Sequence, residues 1–202
     1  MTHTEHSSDD LRVKRTYKLV LEALIEQTIQ KGFSALTVSD ITKHAGINRA
    51  TFYRHFKDKF DLLDNYAQAV YELLEVGLQK PNKGDTNQIY QGLTRVLEHI
   101  RANARFYQVM MGKHGDPAFT DKIRQYIQKR IRRSLPMGIQ QDEKSIDLYI
   151  SYSSSASIGA ILWWLEHELP YSAEEMAAIL YQLESGNLKA LLDRASSPLS
   201  GS

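Results

Sequence analysis

Between Asn48 and Lys59 stand an amide, a guanidinium, a hydroxyl, a phenol, an imidazole and an ammonium, carried by Asn48, Arg49, Thr51, Tyr53, His55 and Lys59. These groups donate hydrogen bonds, and three of the residue types can carry positive charge, so the natural chemistry of the set is recognition of anions and of the polar edges of bases. Phe52 and Phe56 lie four residues apart in the same stretch. On a helix they share one side and point into a core together, which puts Arg49 and Tyr53 on another side, with Thr51 at its edge. A guanidinium suits guanine, a hydroxyl with its methyl suits thymine or phosphate, and a phenol suits phosphate. The N-terminus of such a helix favours an anion in its own right.

Something must hold that helix, and the residues before it supply the means. Val38, Ile41 and Ala45 recur at i, i+3 and i+7, one stripe of a short helix, and Thr37 is placed to cap its start. Gly46 tolerates positive φ, so it can stop this helix and let the chain turn. Asn48 then caps the next one, and Asp58 can cap a further helix with Lys59 in its first turn. The pattern is a helix-turn-helix. Ordinary bundles also contain such pairs, and an exposed Arg or Tyr is commonly a solvated face, but the local charge favours binding. Residues 31–59 hold six Lys or Arg against two acids, whereas residues 61–202 hold 15 against 17. A chain of formal net charge +1 therefore has a basic end, the electrostatic footprint that a phosphate backbone requires.

The run from Leu36 to Leu63, with A-L-T-V-x-x-I, A-G-I-N, T-F-Y-x-H-F and K-x-x-L-L, resembles the DNA-binding domain of TetR-type bacterial regulators. The Ser-rich run before Trp163 and Trp164 is similar to C-terminal domains of a subgroup that includes regulators of dihydroxyacetone metabolism. The resemblance implies that Arg49, Ala50, Thr51 and Tyr53 face the major groove or its rim. It implies phosphate contacts for His55 and Lys59, and backbone contacts for Thr37 and Ser39. The operator sequence does not carry over, because family members vary most at the positions of Arg49 and Ala50.

Length and composition agree with such a protein. At 202 residues and 42% apolar content the chain can bury a sizeable core without a staple. It has no cysteine, which excludes a disulfide framework and a Cys-based zinc site. Met1 to Asp10 is polar and acidic, unlike a signal peptide. The most apolar stretch, Ile158 to Leu165, is far shorter than the roughly 20 residues that span a bilayer. A cytoplasmic protein with no membrane partner is expected.

The expected fold class is all-α: an N-terminal three-helix helix-turn-helix domain followed by a C-terminal helical bundle for ligand binding and dimerisation. The expected layout is a disordered tail at 1–9, the DNA-binding domain at 10–57, the regulatory and dimerisation domain at 58–194 and a second disordered tail at 195–202. Val13, Tyr17, Val20, Leu21, Leu24 and Thr28 mark the inner side of a first helix ending near Gly32. A fourth helix runs from Lys59 to Lys80, a loop follows from Pro81 to Asp85, and Ile89, Leu93, Val96, Leu97 and Ile100 mark a fifth helix. A short segment at 107–111 precedes a break at 114–117, and a further helix carrying Phe119, Ile123, Tyr126, Ile127 and Ile131 stops at Pro136 to Gly138. Two long helices close the chain, one from Asp142 to Glu168 and one capped by Ser172 and Glu175 that Gly186 should end.

Small side chains at 153–160 allow a second helix close approach. By likeness to TetR-type proteins the interface of a homodimer is placed there, with Ser153, Ser157, Ala160, Trp164, Leu180 and Leu183, the alternative being that these residues pack within their own chain. Tyr107, Met110, Met111, Phe119, Tyr126, Tyr149, Tyr152, Trp163 and Trp164 are candidate lining for a small-molecule effector, since aromatic and Met side chains adapt to apolar ligands. Each alone also reads as ordinary core. The cluster Lys122, Arg124, Lys129, Arg130, Arg132 and Arg133 reads first as a solvated face, otherwise as an anion or partner site.

No H-E-x-x-H, G-x-S-x-G, G-x-G-x-x-G or phosphate-loop motif occurs, which argues against an enzyme, and no cofactor or metal is expected. The expected function is a sequence-specific regulator on palindromic double-stranded DNA, a repressor released by a small molecule. An activator of the same fold, or a helical protein-binding adaptor, is the alternative.

Overall fold

The computed structural model of the chain describes residues 4–76, 86–135 and 142–196. Every regular element among them is an α-helix: α1 (Thr4–Lys31), α2 (Val38–Ala45), α3 (Arg49–His55), α4 (Lys59–Val76), α5 (Thr86–Ala102), α6 (Ala104–Met111), α7 (Pro117–Ser134), α8 (Glu143–Glu166) and α9 (Ala173–Ser196). This is the all-α architecture that the 3.6-residue spacing predicts. The expected loop at 81–85 and break at 136–138 lie outside the described residues, as do 1–3 and 197–202 of the expected tails. Residues 4–9 belong to α1 instead of a tail.

The helices form two compact units that do not follow a single cut in the chain. One comprises Met1–Ala67 with Arg105–Phe119, the other Gln68–Ala104 with Thr120–Ser202.

In the first unit, Val20, Ala23 and Leu24 of α1, Leu36, Ile41 of α2, Phe52 and Phe56 form a core with Leu62, Leu63 and Ala67 of α4. Burial on α1 sets in at Thr16; Val13 and Tyr17, expected on the inner side, remain 36% and 38% exposed. Tyr17 sits at the margin, its ring edge-on to Phe56 at 4.8 Å. Segment 105–119 completes this unit. Phe106 meets Tyr66 at 4.1 Å and Phe119 at 5.6 Å between ring centroids, and Phe33 N–H donates to the carbonyl of His114 at 2.8 Å. Such ring pairs add about 0.5–1.5 kcal/mol each beyond the apolar area they bury. The turn after α6 needs glycine at 115, since a Cβ there would lie 2.0 Å from the carbonyl oxygen of Met110.

In the second unit, apolar stripes of α5 (Val96, Leu97, Ile100), α7 (Ile123, Ile127, Ile131), α8 (Ile146, Ile150, Ile158, Ile161, Leu165) and α9 (Met176, Ala177, Leu180) are buried. The α8–α9 connection is tight: Glu168 and Leu169 both have positive φ, 59° and 56°, and Leu169 N–H returns to the carbonyl of Trp164 at 2.9 Å. Ser172 and Glu175 then exchange both bonds of the capping box that their spacing predicts. Gly186, however, does not stop α9, which continues to Ser196. Glycine inside a helix costs only about 0.5–1 kcal/mol relative to alanine, and its φ here is not positive, so it marks no stop.

Candidate nucleic-acid interface

The α2–α3 pair is defined by its caps. Thr37 is the N-cap of α2, its hydroxyl accepting from the Asp40 N–H while the Asp40 carboxylate accepts from the Thr37 N–H. The ammonium of Lys31 on that carboxylate, helped by Thr37, holds the Asp40 pKa down at about 2. Gly46 adopts the left-handed conformation (φ 65°, ψ 30°) that ends α2, and Asn48 Oδ1 accepts from the Ala50 N–H at 2.8 Å to open α3. All three points were readable from residue type and spacing.

The short α3 is anchored by its inner side. Phe52 is fully buried and Phe56 is 1% exposed, while Arg49, Ala50 and Tyr53 face solvent, Tyr53 at 49%. The outward side chains are already organised: an Arg49 guanidinium N–H donates to the Tyr53 hydroxyl at 3.3 Å and the guanidinium carbon lies 5.8 Å from the ring centroid. Thr51 is half-buried. Ser39 and Thr37 are exposed at the start of α2, though the Thr37 hydroxyl is engaged with Asp40. His55 is half-buried, its ring 6.0 Å from that of Tyr17.

Lys59 departs from its expected place at a phosphate. Its ammonium donates to three carbonyl oxygens of the α1–α2 loop, those of Phe33 (2.6 Å), Ser34 (2.9 Å) and Leu36 (2.7 Å), between the rings of Phe33 and Phe60. Its three donors are thereby used. Partial burial lowers the pKa of Lys59, opposed by the carboxylates of Asp116 and Asp58. The reach is 23 to 26 residues backward in the chain, a distance at which no spacing rule gives a signal.

The residues expected to line an effector cavity divide between the two units. Tyr107, Met110 and Phe119 are fully packed in the core of the first, with Met111 half-buried beside them in sequence. In the second, Trp164 is fully buried and its indole N–H donates to the Tyr171 carbonyl at 2.9 Å. Tyr126 stacks on Tyr71 at 5.0 Å and Tyr149 is half-buried, whereas Tyr152 and Trp163 are 57% and 44% exposed. Four of the nine side chains thus belong to the first unit and five to the second.

The expected dimer residues differ in their exposure within the single chain. Ser153, Ser157, Trp164 and Leu180 are buried within their own chain, Ser157 donating to the Ser153 carbonyl at 2.8 Å and to Glu184 at 2.9 Å. Small side chains in that run let α9 approach α8, so the packing is internal to the chain. Ala160 is half-buried and Leu183 is 58% exposed. The apolar surface of α8 lies elsewhere, at Leu148 (70% exposed), Tyr152 and Trp163, with Gly159 also exposed between them. Sequence reasoning missed this stripe because a helix apolar on two sides does not announce which side its own chain covers.

In the basic run of α7, Arg132 pairs with Glu143 and Asp147, Arg124 pairs with Asp121, and burial lowers the pKa of Arg130 against the opposing pull of Glu184. Much of that run is thus engaged within the chain.

Residues 20–66 match the profile of bacterial regulatory proteins of the tetR family, and residues 87–186 match a transcriptional regulator C-terminal region of the same type. The chain belongs to the TetR family of transcriptional regulators. It is 24% identical over 175 residues to YxbF, an uncharacterized HTH-type transcriptional regulator of Bacillus subtilis, an alignment covering 82% of this chain and 44% of that protein. The chain spans less than half the length of the curated relatives it matches. Among solved structures, the dihydroxyacetone kinase operon activator DhaS superposes with a TM-score of 0.56 at 17% identity, over 87% of this chain and 97% of its own. A TetR transcriptional regulator from Streptococcus agalactiae gives 0.56 at 20% identity, over 89% and 99%. Those likenesses place the fold, and among the described residues no helix is long and apolar enough to cross a membrane.

Proposed function

We propose that the protein binds double-stranded DNA sequence-specifically through α3 and acts as a homodimeric cytoplasmic repressor that a small molecule releases from a palindromic operator. The observation that carries this reading is the orientation of α3. Two buried phenylalanines fix the helix so that the coupled Arg49–Tyr53 pair is presented outward at its capped N-terminal half. Arg49, Ala50, Thr51 and Tyr53 serve base edges and the groove rim. Ser39, Thr37, Asn48 and His55 serve the backbone, Thr37 and Asn48 through the exposed chain ends they cap. Lys59 positions the loop before α2 instead of touching phosphate.

Dimerisation is supported by the exposed stripe Leu148, Tyr152, Gly159 and Trp163 of α8 with Leu183 of α9, apolar and small residues suited to a twofold helix contact. A dimer presents its two α3 helices one DNA turn or a multiple apart, roughly 34–36 Å, and so selects a palindrome. An effector would act by favouring one spacing of the pair over another. Tyr126 and Tyr149, half-buried in the second unit, are the aromatic candidates nearest to solvent access without being fully exposed.

Selection of bound fragments from the source genome, followed by binding to the selected duplex, tests the reading. A palindromic consensus that Arg49→Ala and Tyr53→Ala each fail to bind is the expected result. Absence of any duplex whose affinity falls with salt would leave the adaptor reading instead.

A further inference from the structure

We propose that α1 is a second DNA-contacting element, in which Lys14, Arg15 and Lys18 grip backbone phosphates beyond those reached by α3. The inference rests on the DNA-binding function proposed for α3 and extends the surface that carries it.

The buried side of α1 runs through Thr16, Val20 and Leu24, leaving Lys14, Arg15 and Lys18 exposed. Lys14 and Lys18 are one turn apart and flank Tyr17. The Tyr17 ring lies 4.8 Å from that of Phe56 and 6.0 Å from that of His55, so this turn of α1 abuts the C-terminal end of α3. That end carries Arg54 and Lys57, both exposed. The exposed cations Lys14 and Lys18, within four residues of Tyr17 on α1, and Arg54 and Lys57, at and just beyond the end of α3, therefore stand close in sequence to the two sides of this contact, with Arg15 exposed further round α1.

The local electrostatics favour an anion on this surface. Lys14 and Lys18 stand at i and i+4, a spacing at which like charges on a helix repel. Lys18 pairs with Glu22 at 4.0 Å with both side chains more than half exposed, a weak and screened pair that a phosphate can displace. The side chains are long, which suits tracking of a phosphodiester backbone, and ammonium groups carry no base preference there. The contact should add affinity and leave the preferred sequence unchanged.

The test compares two triples of equal charge change in the full chain: Lys14→Gln, Arg15→Gln, Lys18→Gln in α1, and Lys122→Gln, Lys129→Gln, Arg133→Gln in α7. Anisotropy of a labelled mixed-sequence duplex is followed from 50 to 200 mM KCl, with thermal melting as the check on folding. The slope of log K against log salt should fall in magnitude by about 0.9 for each phosphate no longer neutralised, hence by roughly 2–3 per protomer in the α1 triple, while the α7 triple keeps the parental slope. Single α1 variants, each expected to lower it by about 0.9, decide the matter if the triple melts early. An unchanged slope in the α1 variants, or an equal fall in both triples, overturns the proposal. A parent protein with no salt-dependent binding would overturn DNA binding itself, a separate outcome.

Discussion

Tyr53→Ala and Phe52→Ala, neighbours in sequence, should fail in different ways. Tyr53 is half exposed and its loss removes a partner of Arg49, so DNA affinity should fall while the melting temperature stays close to that of the parent. Phe52 is fully buried, so its truncation opens a cavity and should cost roughly 3–5 kcal/mol, read by thermal or denaturant unfolding. Equal melting temperatures would reverse the assignment of sides on α3. Lys59→Met strips three carbonyls of their donor and should lower stability by roughly 1–3 kcal/mol, with the salt slope of DNA binding left where it was. A reduced slope with full stability would return Lys59 to the phosphates. Phe52 and Phe56 could be read from the sequence because their spacing and their packing are both local. Lys59 could not, because its partners lie on a loop that only the fold brings near.

The Thr37–Asp40 box ties α2 to pH. Its carboxylate has a pKa of about 2 in the folded protein against an ordinary 3.8, so the stability it lends is present above about pH 3.8 and is lost as pH falls through 2. Melting followed by circular dichroism should therefore drop more steeply between pH 4 and 2 for the parent than for Asp40→Asn; parallel curves would deny the box that role. The caps of α2, α3 and α9 were visible as residue types at fixed spacing, since a cap is an arrangement within four residues. Where α9 ends was not visible. Gly186 has the residue type of a stop signal, but its φ is not positive, and open space surrounds the position of a Cβ there. Gly186→Ala should consequently stabilise the isolated chain by about 0.4–1 kcal/mol.

Assembly is where the exposed stripe of α8 must show itself. Trp163→Glu with Leu183→Lys places charges on surface that is already exposed in the single chain, so folding should persist while sedimentation shifts the protein toward monomer and palindrome binding weakens. A variant that stays dimeric would move the interface to another surface. The serine run predicted close helix approach, and within the chain Ser157 of α8 reaches Glu184 of α9; composition announces tight packing without saying how many helices arrive. The division of the molecule was hidden for a related reason, since long-range pairs such as Tyr66 with Phe106 and Glu26 with Arg105 leave no periodic trace. That division has a consequence for synthesis. The unit bearing α3 takes in residues 105–119, so a nascent chain cannot finish it when residue 67 leaves the ribosome. Phe33 and Tyr66 must wait for some forty to fifty further codons before their partners emerge, and a gene fragment stopped near residue 67 would yield a polypeptide with an open seam.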